Sequence, residues 1–232
     1  MSVNDRARQI DDEAQHVVNA EVALAGAERL AFFSDAVVAI AVTLLALELP
    51  VPSGGTNAAI LRSLGEHSME YLAFFISFLV IVQHWIGHHK LLGAINRLGG
   101  RLVGFNMVWL LMIVLTPFAT KILTEGENGG FQVQFGMYAL IQMLSGITFG
   151  LMAREIDRNG LLRPEASRQT VIRSYRVSLA LALTFGLSIP MVAVLHQFTY
   201  LIWILMPIIT RVVRRFVRGE AQPEKQQSHV TG

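Results

Sequence analysis

The chain has 232 residues, of which 53% are hydrophobic and only 16% charged, and it contains no cysteine. A soluble domain of this size carries about 25% charged residues, so the composition predicts an integral membrane protein. The absence of cysteine excludes disulfides, thiolate metal sites and a catalytic thiol.

The chain divides into three parts by composition. Residues 1–28 are polar and charged, so we expect a cytoplasmic segment there, with surface-helix character and no cleavable signal peptide. Residues 29–216 are mostly apolar and form the predicted transmembrane domain. Residues 217–232 are polar and contain proline and glutamine, which predicts a disordered cytoplasmic tail.

Six segments are apolar over about the 20 residues that a helix needs to cross a bilayer. Proline and glycine residues separate most of them. The predicted spans are 30–49, 70–88, 102–123, 132–153, 174–195 and 198–214. The predicted fold is therefore all-α, a polytopic membrane protein with six transmembrane helices.

Basic residues are distributed very unevenly between the two sides of this predicted bundle. Of the 19 Lys and Arg residues, only Arg62 and Lys121 fall on one side. The other side holds the basic residues of 6–29, 90–101, 154–176 and 211–225. Because positive loops stay inside, we expect a multi-pass protein of the cell (inner) membrane with both termini cytoplasmic. This topology explains the positive net charge without a nucleic-acid partner.

The first predicted span carries one narrow apolar stripe. Ile40, Leu44 and Leu47 are spaced four and three residues apart, so they share a helix face, and Thr43 is the only polar side chain between Ala36 and Leu47. In a symmetric oligomer with this helix innermost, the stripe would form apolar rings that stop ions by dewetting. Periodicity alone favours another explanation, that the stripe packs against neighbouring helices.

A charged residue beside a membrane-length apolar helix needs partners, and Asp35 lies near the predicted cytoplasmic end of the first span. Several polar residues are predicted at the same depth. We call these residues together with Asp35 the polar cluster: Arg29, Ser34, Asp35, Trp85, His88, His89 and Asn106. We expect them to hydrogen-bond with one another. The alternative is that Ser34 or Asp35 caps the start of a helix.

Two of the histidines also have a spacing found in metal sites. His84 and His88 are four residues apart on one helix, but no acidic residue follows in the HExxH manner. A structural or proton-sensing role therefore fits better than a metal site, and we predict no metal.

Three motif blocks resemble one family. The first is Arg29-x-x-x-Phe33-Ser34-Asp35, followed by Ala39-Ile40-Ala41-x-Thr43-Leu44-Leu45. The second is Trp85-x-x-His88-His89, and the third is Asn106, Leu110 and Pro117-Phe118. This pattern resembles the transmembrane protein 175 family of potassium channels.

The resemblance implies a pore lined by the first helix, with its constriction at Ile40, Leu44 and Leu47 and with Thr43 contributing to ion selectivity. It implies that the polar cluster ties this helix to the second and third helices. It further implies a homotetramer in the lipid bilayer that conducts monovalent cations and prefers potassium. It implies no cofactor. The sequence lacks a TVGYG-type filter, so we expect modest selectivity. A further hypothesis is that His88 or His89 beside Asp35 makes opening pH-dependent.

Other functional classes fit less well. A secondary transporter of a cation or small solute is the main alternative, and it predicts inverted repeats and charges at mid-span. We find no repeat, and Asp35, Glu48 and Glu70 all lie near span ends. Glu48, Glu66 and Glu70 either concentrate cations at the outer mouth or form an ordinary solvated rim. Ser34 has no base in a triad arrangement, so we predict no enzyme and no catalytic residue.

Overall fold

The computed structural model describes residues 3–124 and 130–195, and its regular secondary structure over these ranges is helical. The helices are α1 (Val3–Leu47), α2 (Asn57–Glu66), α3 (Ser68–Leu92), α4 (Leu102–Thr124), α5 (Phe131–Arg158) and α6 (Arg168–Leu195). Five of them, all except α2, are long and apolar enough to cross a membrane. The predicted all-α membrane fold is confirmed, while the predicted sixth span at 198–214 and the tail at 217–232 lie outside the described residues.

The first helix is much longer than a membrane span. Its 45 residues extend about 68 Å at 1.5 Å per residue, roughly twice the thickness of the hydrocarbon core. Side chains between Asn4 and Val22 are exposed wherever they are described. The helix continues through the predicted boundary at residue 28, because its first proline lies at position 50, beyond its end. That boundary marks a change of surroundings rather than a break in the backbone.

The loop after α1 contains a short helix that the sequence did not predict. The Thr56 hydroxyl accepts a hydrogen bond from the Ala59 backbone N–H at 3.2 Å and so caps the start of α2. The Tyr71 hydroxyl on α3 donates to the Pro50 carbonyl at 2.8 Å. These contacts hold the loop against the end of the bundle.

The helices pack around two adjoining apolar cores. α1 lies against α3 and α4, and α5 lies between α4 and α6. Around α1, Val38 and Leu45 pack with Trp109 and Ile113 of α4 in one apolar core. A second core joins α4, α5 and α6 around residues such as Phe185. One face of α1 is therefore committed to the interior of the subunit.

α5 and α6 approach each other closely at Gly146. A Cβ atom added there would lie 3.0 Å from the Ala182 backbone nitrogen and the Ser178 carbonyl oxygen. Small residues at such crossings let membrane helices pack backbone to backbone. Gly136, on the same helix, has open space around its would-be Cβ.

We expect Gly146→Leu to lower the free energy of unfolding by about 1–3 kcal/mol, because the new side chain must push α6 away from α5. The matched control is Gly136→Leu, which adds the same side chain to open space. Thermal unfolding of the detergent-solubilised protein compares the two midpoints. Equal midpoints would show that the α5–α6 crossing does not depend on the absent side chain.

Candidate functional site

The transmembrane part of α1 has two different faces. Ser34, Val38, Ala41 and Leu45 are at most 3% exposed, and their spacing of four and three residues puts them on the side that meets α3 and α4. The predicted constriction residues lie on the other side of the helix. They are exposed by 59% at Ile40, 44% at Leu44 and 79% at Leu47. Among the residues that the structure describes, the stripe is therefore not buried against another helix of the same subunit. Packing against neighbouring helices was the alternative that periodicity favoured.

Thr43 lies on the same exposed side of the helix. Its hydroxyl donates a hydrogen bond to the Ile40 carbonyl oxygen at 2.8 Å. Because the hydrogen is used within the helix, the lone pairs of the hydroxyl oxygen face outward. An oxygen in this state can accept hydrogen bonds from water or coordinate a cation.

The buried half of the polar cluster is centred on Asn106 of α4. The Asn106 side-chain nitrogen donates to the Ser34 hydroxyl oxygen at 3.0 Å. Its side-chain oxygen lies 2.7 Å from His88 Nε2, and since this oxygen is an acceptor, Nε2 carries the hydrogen. The Ser34 hydroxyl in turn donates to the Leu30 carbonyl at 2.8 Å. One amide therefore joins α1, α3 and α4, and its two side-chain partners are completely buried.

The His88 ring is also fixed from its face. It stacks on the Trp109 indole with a centroid distance of 4.2 Å and an interplanar angle of 2°. Trp109 was not among the predicted site residues. Its position three residues after Asn106, on the same face of α4, was the signal that could have found it.

The exposed half of the polar cluster is centred on Asp35. One of its carboxylate oxygens accepts a hydrogen bond from Trp85 Nε1 at 2.9 Å, and the other lies 3.3 Å from His89 Nδ1. Both partners belong to α3, so this carboxylate is a second link between α1 and α3. The two adjacent histidines thus face different partners, His88 towards Asn106 and His89 towards Asp35.

Arg29 stands apart from the rest of the polar cluster. It is exposed, and within the described part of the chain it makes no ion pair with Asp35. The reason is the helical period: six residues place the two side chains about 120° apart around a continuous helix. The predicted partners that do contact Asp35 are Trp85 and His89, and both come from α3.

Acidic residues at the opposite end of the bundle are paired with basic ones. Glu48 lies 2.7 Å from the Lys121 ammonium, and Glu70 lies 3.2 Å from the His67 ring. All four line a cavity of about 210 Å³. Across the residues that the structure describes, no three His, Asp or Glu side chains are grouped as metal ligands.

We expect Asn106→Leu to destabilise the protein by about 1–3 kcal/mol for each buried partner left without a hydrogen bond. Ser34 loses its donor from Asn106, and His88 loses the acceptor for its Nε2 hydrogen. The control is Asn19→Leu, the same change at an exposed position of α1. Denaturant unfolding followed by tryptophan fluorescence measures both variants. A stability for Asn106→Leu equal to that of the control would contradict a central role for the amide.

Comparison with known proteins identifies the family of this chain. Residues 29–117 match the family model described as the endosomal/lysosomal potassium channel TMEM175. A potassium channel of Streptomyces collinus is 32% identical over 167 residues, covering 69% of this chain and 81% of that protein. A potassium channel of Chamaesiphon minutus is 33% identical over 149 residues, covering 62% and 72% respectively.

The fold is similar to that of a solved structure as well. A lysosomal potassium-selective channel TMEM175 homolog from Chamaesiphon minutus superposes with a TM-score of 0.61, at 22% identity, over 86% of this chain and all of that one. The region matched by the family model contains every residue of the polar cluster and of the exposed stripe. The chain belongs to the TMEM175 family of potassium channels.

Proposed function

We propose that this chain forms a potassium-preferring cation channel that conducts passively through a pore lined by α1. The observation that supports this best is the division of α1 into two faces. One face is held against α3 and α4, and the apolar stripe on the other face is left largely uncovered by the helices that the structure describes. Two similar bacterial proteins are named as potassium channels, and these names support the same function.

The pore requires several copies of the chain. One α1 supplies one strip of wall, so symmetric copies must surround the axis and turn Ile40, Leu44 and Leu47 into rings. We propose a homotetramer, because the six predicted spans occur once in this chain, whereas the resemblance implies two fused copies in the animal relatives. The arginine distribution supports an inner-membrane location with both termini cytoplasmic.

Conduction through such a pore depends on wetting. Rings of aliphatic side chains exclude water when narrow, and a small widening restores a conducting path. Thr43 offers outward-facing oxygen lone pairs one residue before Leu44, where a partly dehydrated cation would need them. We propose that modest potassium preference arises from this combination of constriction and hydroxyl oxygen.

The polar cluster is proposed to set the position of the pore wall. Its buried half fixes where α1 lies relative to α4, and its exposed half connects the same helix to α3. Since His89 rather than His88 contacts Asp35, a pH response of opening is expected to depend on His89.

The reversal potential of the purified protein in planar bilayers tests this function. Potassium is placed on one side and sodium on the other. Single-channel steps whose reversal potential is displaced toward the potassium equilibrium potential support the proposal, and steps without that displacement indicate a non-selective cation channel. Silence under every gradient, together with substrate-coupled uptake into liposomes, would instead indicate a secondary transporter.

We expect Ile40→Asn to raise the single-channel conductance and to reduce the preference for potassium over sodium. An amide in place of the sec-butyl group lets water stay in the ring and lowers the dewetting barrier. Leu183→Asn is the matched control, since Leu183 is an exposed aliphatic residue of α6. Planar bilayer recording compares the two, and unchanged currents in a correctly assembled Ile40→Asn oligomer would remove Ile40 from the pore.

We expect Thr43→Val to reduce potassium preference while keeping a conducting pore, because it replaces the hydroxyl by a methyl group of similar size. Thr43→Ser keeps the hydroxyl and serves as the control. The shift of the reversal potential between potassium and sodium measures the effect. Equal shifts for valine and serine would exclude the hydroxyl oxygen from selectivity.

A further inference from the structure

A basic cavity lies between the start of α4 and the end of α5, away from the proposed pore. Its volume is about 470 Å³. It is lined by Arg101, Phe105, Leu151, Arg154, Glu155, Arg158 and Asn159. The arginine distribution predicts that this end of the bundle faces the cytoplasm.

The loop before α4 is built tightly onto α5 at this cavity. Gly100 has a positive φ of 54°, and a Cβ there would collide with the Glu155 carboxylate. The same carboxylate accepts the Arg101 backbone N–H at 2.8 Å. About one helical turn after Glu155, the Asn159 carbonyl accepts a hydrogen bond from Arg97 at 3.3 Å. Arg101 is therefore held beside the last turns of α5.

The lining carries an excess of positive charge. It contains three arginines and one carboxylate. Within the described ranges, the guanidinium groups of Arg101, Arg154 and Arg158 make no hydrogen bond or ion pair. Glu155 directs one oxygen to a backbone N–H rather than to a guanidinium. Guanidinium groups match the geometry of phosphate oxygens and bind them in pairs of hydrogen bonds.

The cavity is also amphipathic along the helix axes. The arginines are at the helix ends, while Phe105 and Leu151 lie about one turn further into the apolar spans. The apolar surface continues inward on both helices through Val108 and Ile147, which are 44% and 42% exposed. A free phosphate ion would use only the rim of this cavity. A phospholipid would place its phosphate at the rim and an acyl chain on the apolar surface.

We propose that this cavity binds the headgroup of an anionic phospholipid, with Arg101, Arg154 and Arg158 contacting the phosphate and Phe105 and Leu151 contacting the chain. Basic pockets between membrane helices on the cytoplasmic side are suited to such headgroups. The lipid would link the end of α5 to the start of α4. The site is separate from the pore-lining face of α1, and binding there is independent of whether the protein conducts.

The test is lipid-dependent thermal stability of the full-length protein in detergent. Phosphatidylglycerol, phosphatidylcholine or inorganic phosphate is titrated at constant ionic strength, because salt alone screens surface charge. The double variant Arg154→Gln/Arg158→Gln removes two rim charges. The double variant Arg6→Gln/Arg8→Gln removes two exposed charges of α1 from outside the cavity and is the matched control.

We expect phosphatidylglycerol to raise the midpoint of the unmodified protein and of the control variant. The cavity variant should need at least about tenfold more lipid for the same shift, which corresponds to about 1.4 kcal/mol. Equal responses of the cavity and control variants would overturn the site. An equal effect of inorganic phosphate would overturn the lipid, and an equal effect of phosphatidylcholine would overturn recognition of negative charge. If the cavity variant unfolds early, native mass spectrometry of the unmodified protein decides, since absence of retained phosphatidylglycerol contradicts the proposal.

Discussion

The arrangement of this protein depends on the two hydrogen bonds of the Asn106 side chain. A buried amide that lost either partner would be costly, so Ser34 on α1 and His88 on α3 have to meet at the same point of α4. Trp109 restricts the His88 ring further by stacking on its face. The rotation of α1 about its own axis follows from this contact, since Ser34 must face inward. Ile40, Leu44 and Leu47 are consequently left on the outer side of the helix.

This constraint connects folding with the proposed conduction. A pore without carbonyl rings can only be as narrow as its side chains make it, so the rotation and position of α1 decide the width. The contact of Asn106 with Ser34 and His88 is buried and therefore resists change, whereas Asp35 and its α3 partners are partly exposed to solvent. A rigid inner link combined with a softer outer one is suited to small movements of the pore wall. The lipid proposed at the start of α4 and the end of α5 would bind at a place that no residue of α1 lines.

The sequence was sufficient to predict features that repeat along the chain or that follow from a single physical rule. Apolar length located the five described spans, and helical period placed Ile40, Leu44 and Leu47 on one face. Pairings between helices were harder, because spacing shows which residues share a depth but not which atoms meet. Arg29 lies six residues before Asp35 on α1 yet points elsewhere, and Trp109 was missed because an apolar neighbourhood conceals a stacking partner. The capped helix α2 was missed because proline and glycine dominate the preceding loop.

Modification of single introduced cysteines tests most directly whether this face of α1 lines a pore, since the chain contains no native cysteine. Leu47→Cys places a thiol on the uncovered face of α1, and Leu45→Cys places one on the face that packs inside the subunit. A membrane-impermeant cationic thiol reagent is added from the predicted outer side during planar bilayer recording of potassium current. If this face lines the pore, we expect rapid, irreversible block of the Leu47→Cys channel and no effect on the Leu45→Cys channel. Persisting current in Leu47→Cys after complete thiol labelling would contradict a pore lined by this face of α1.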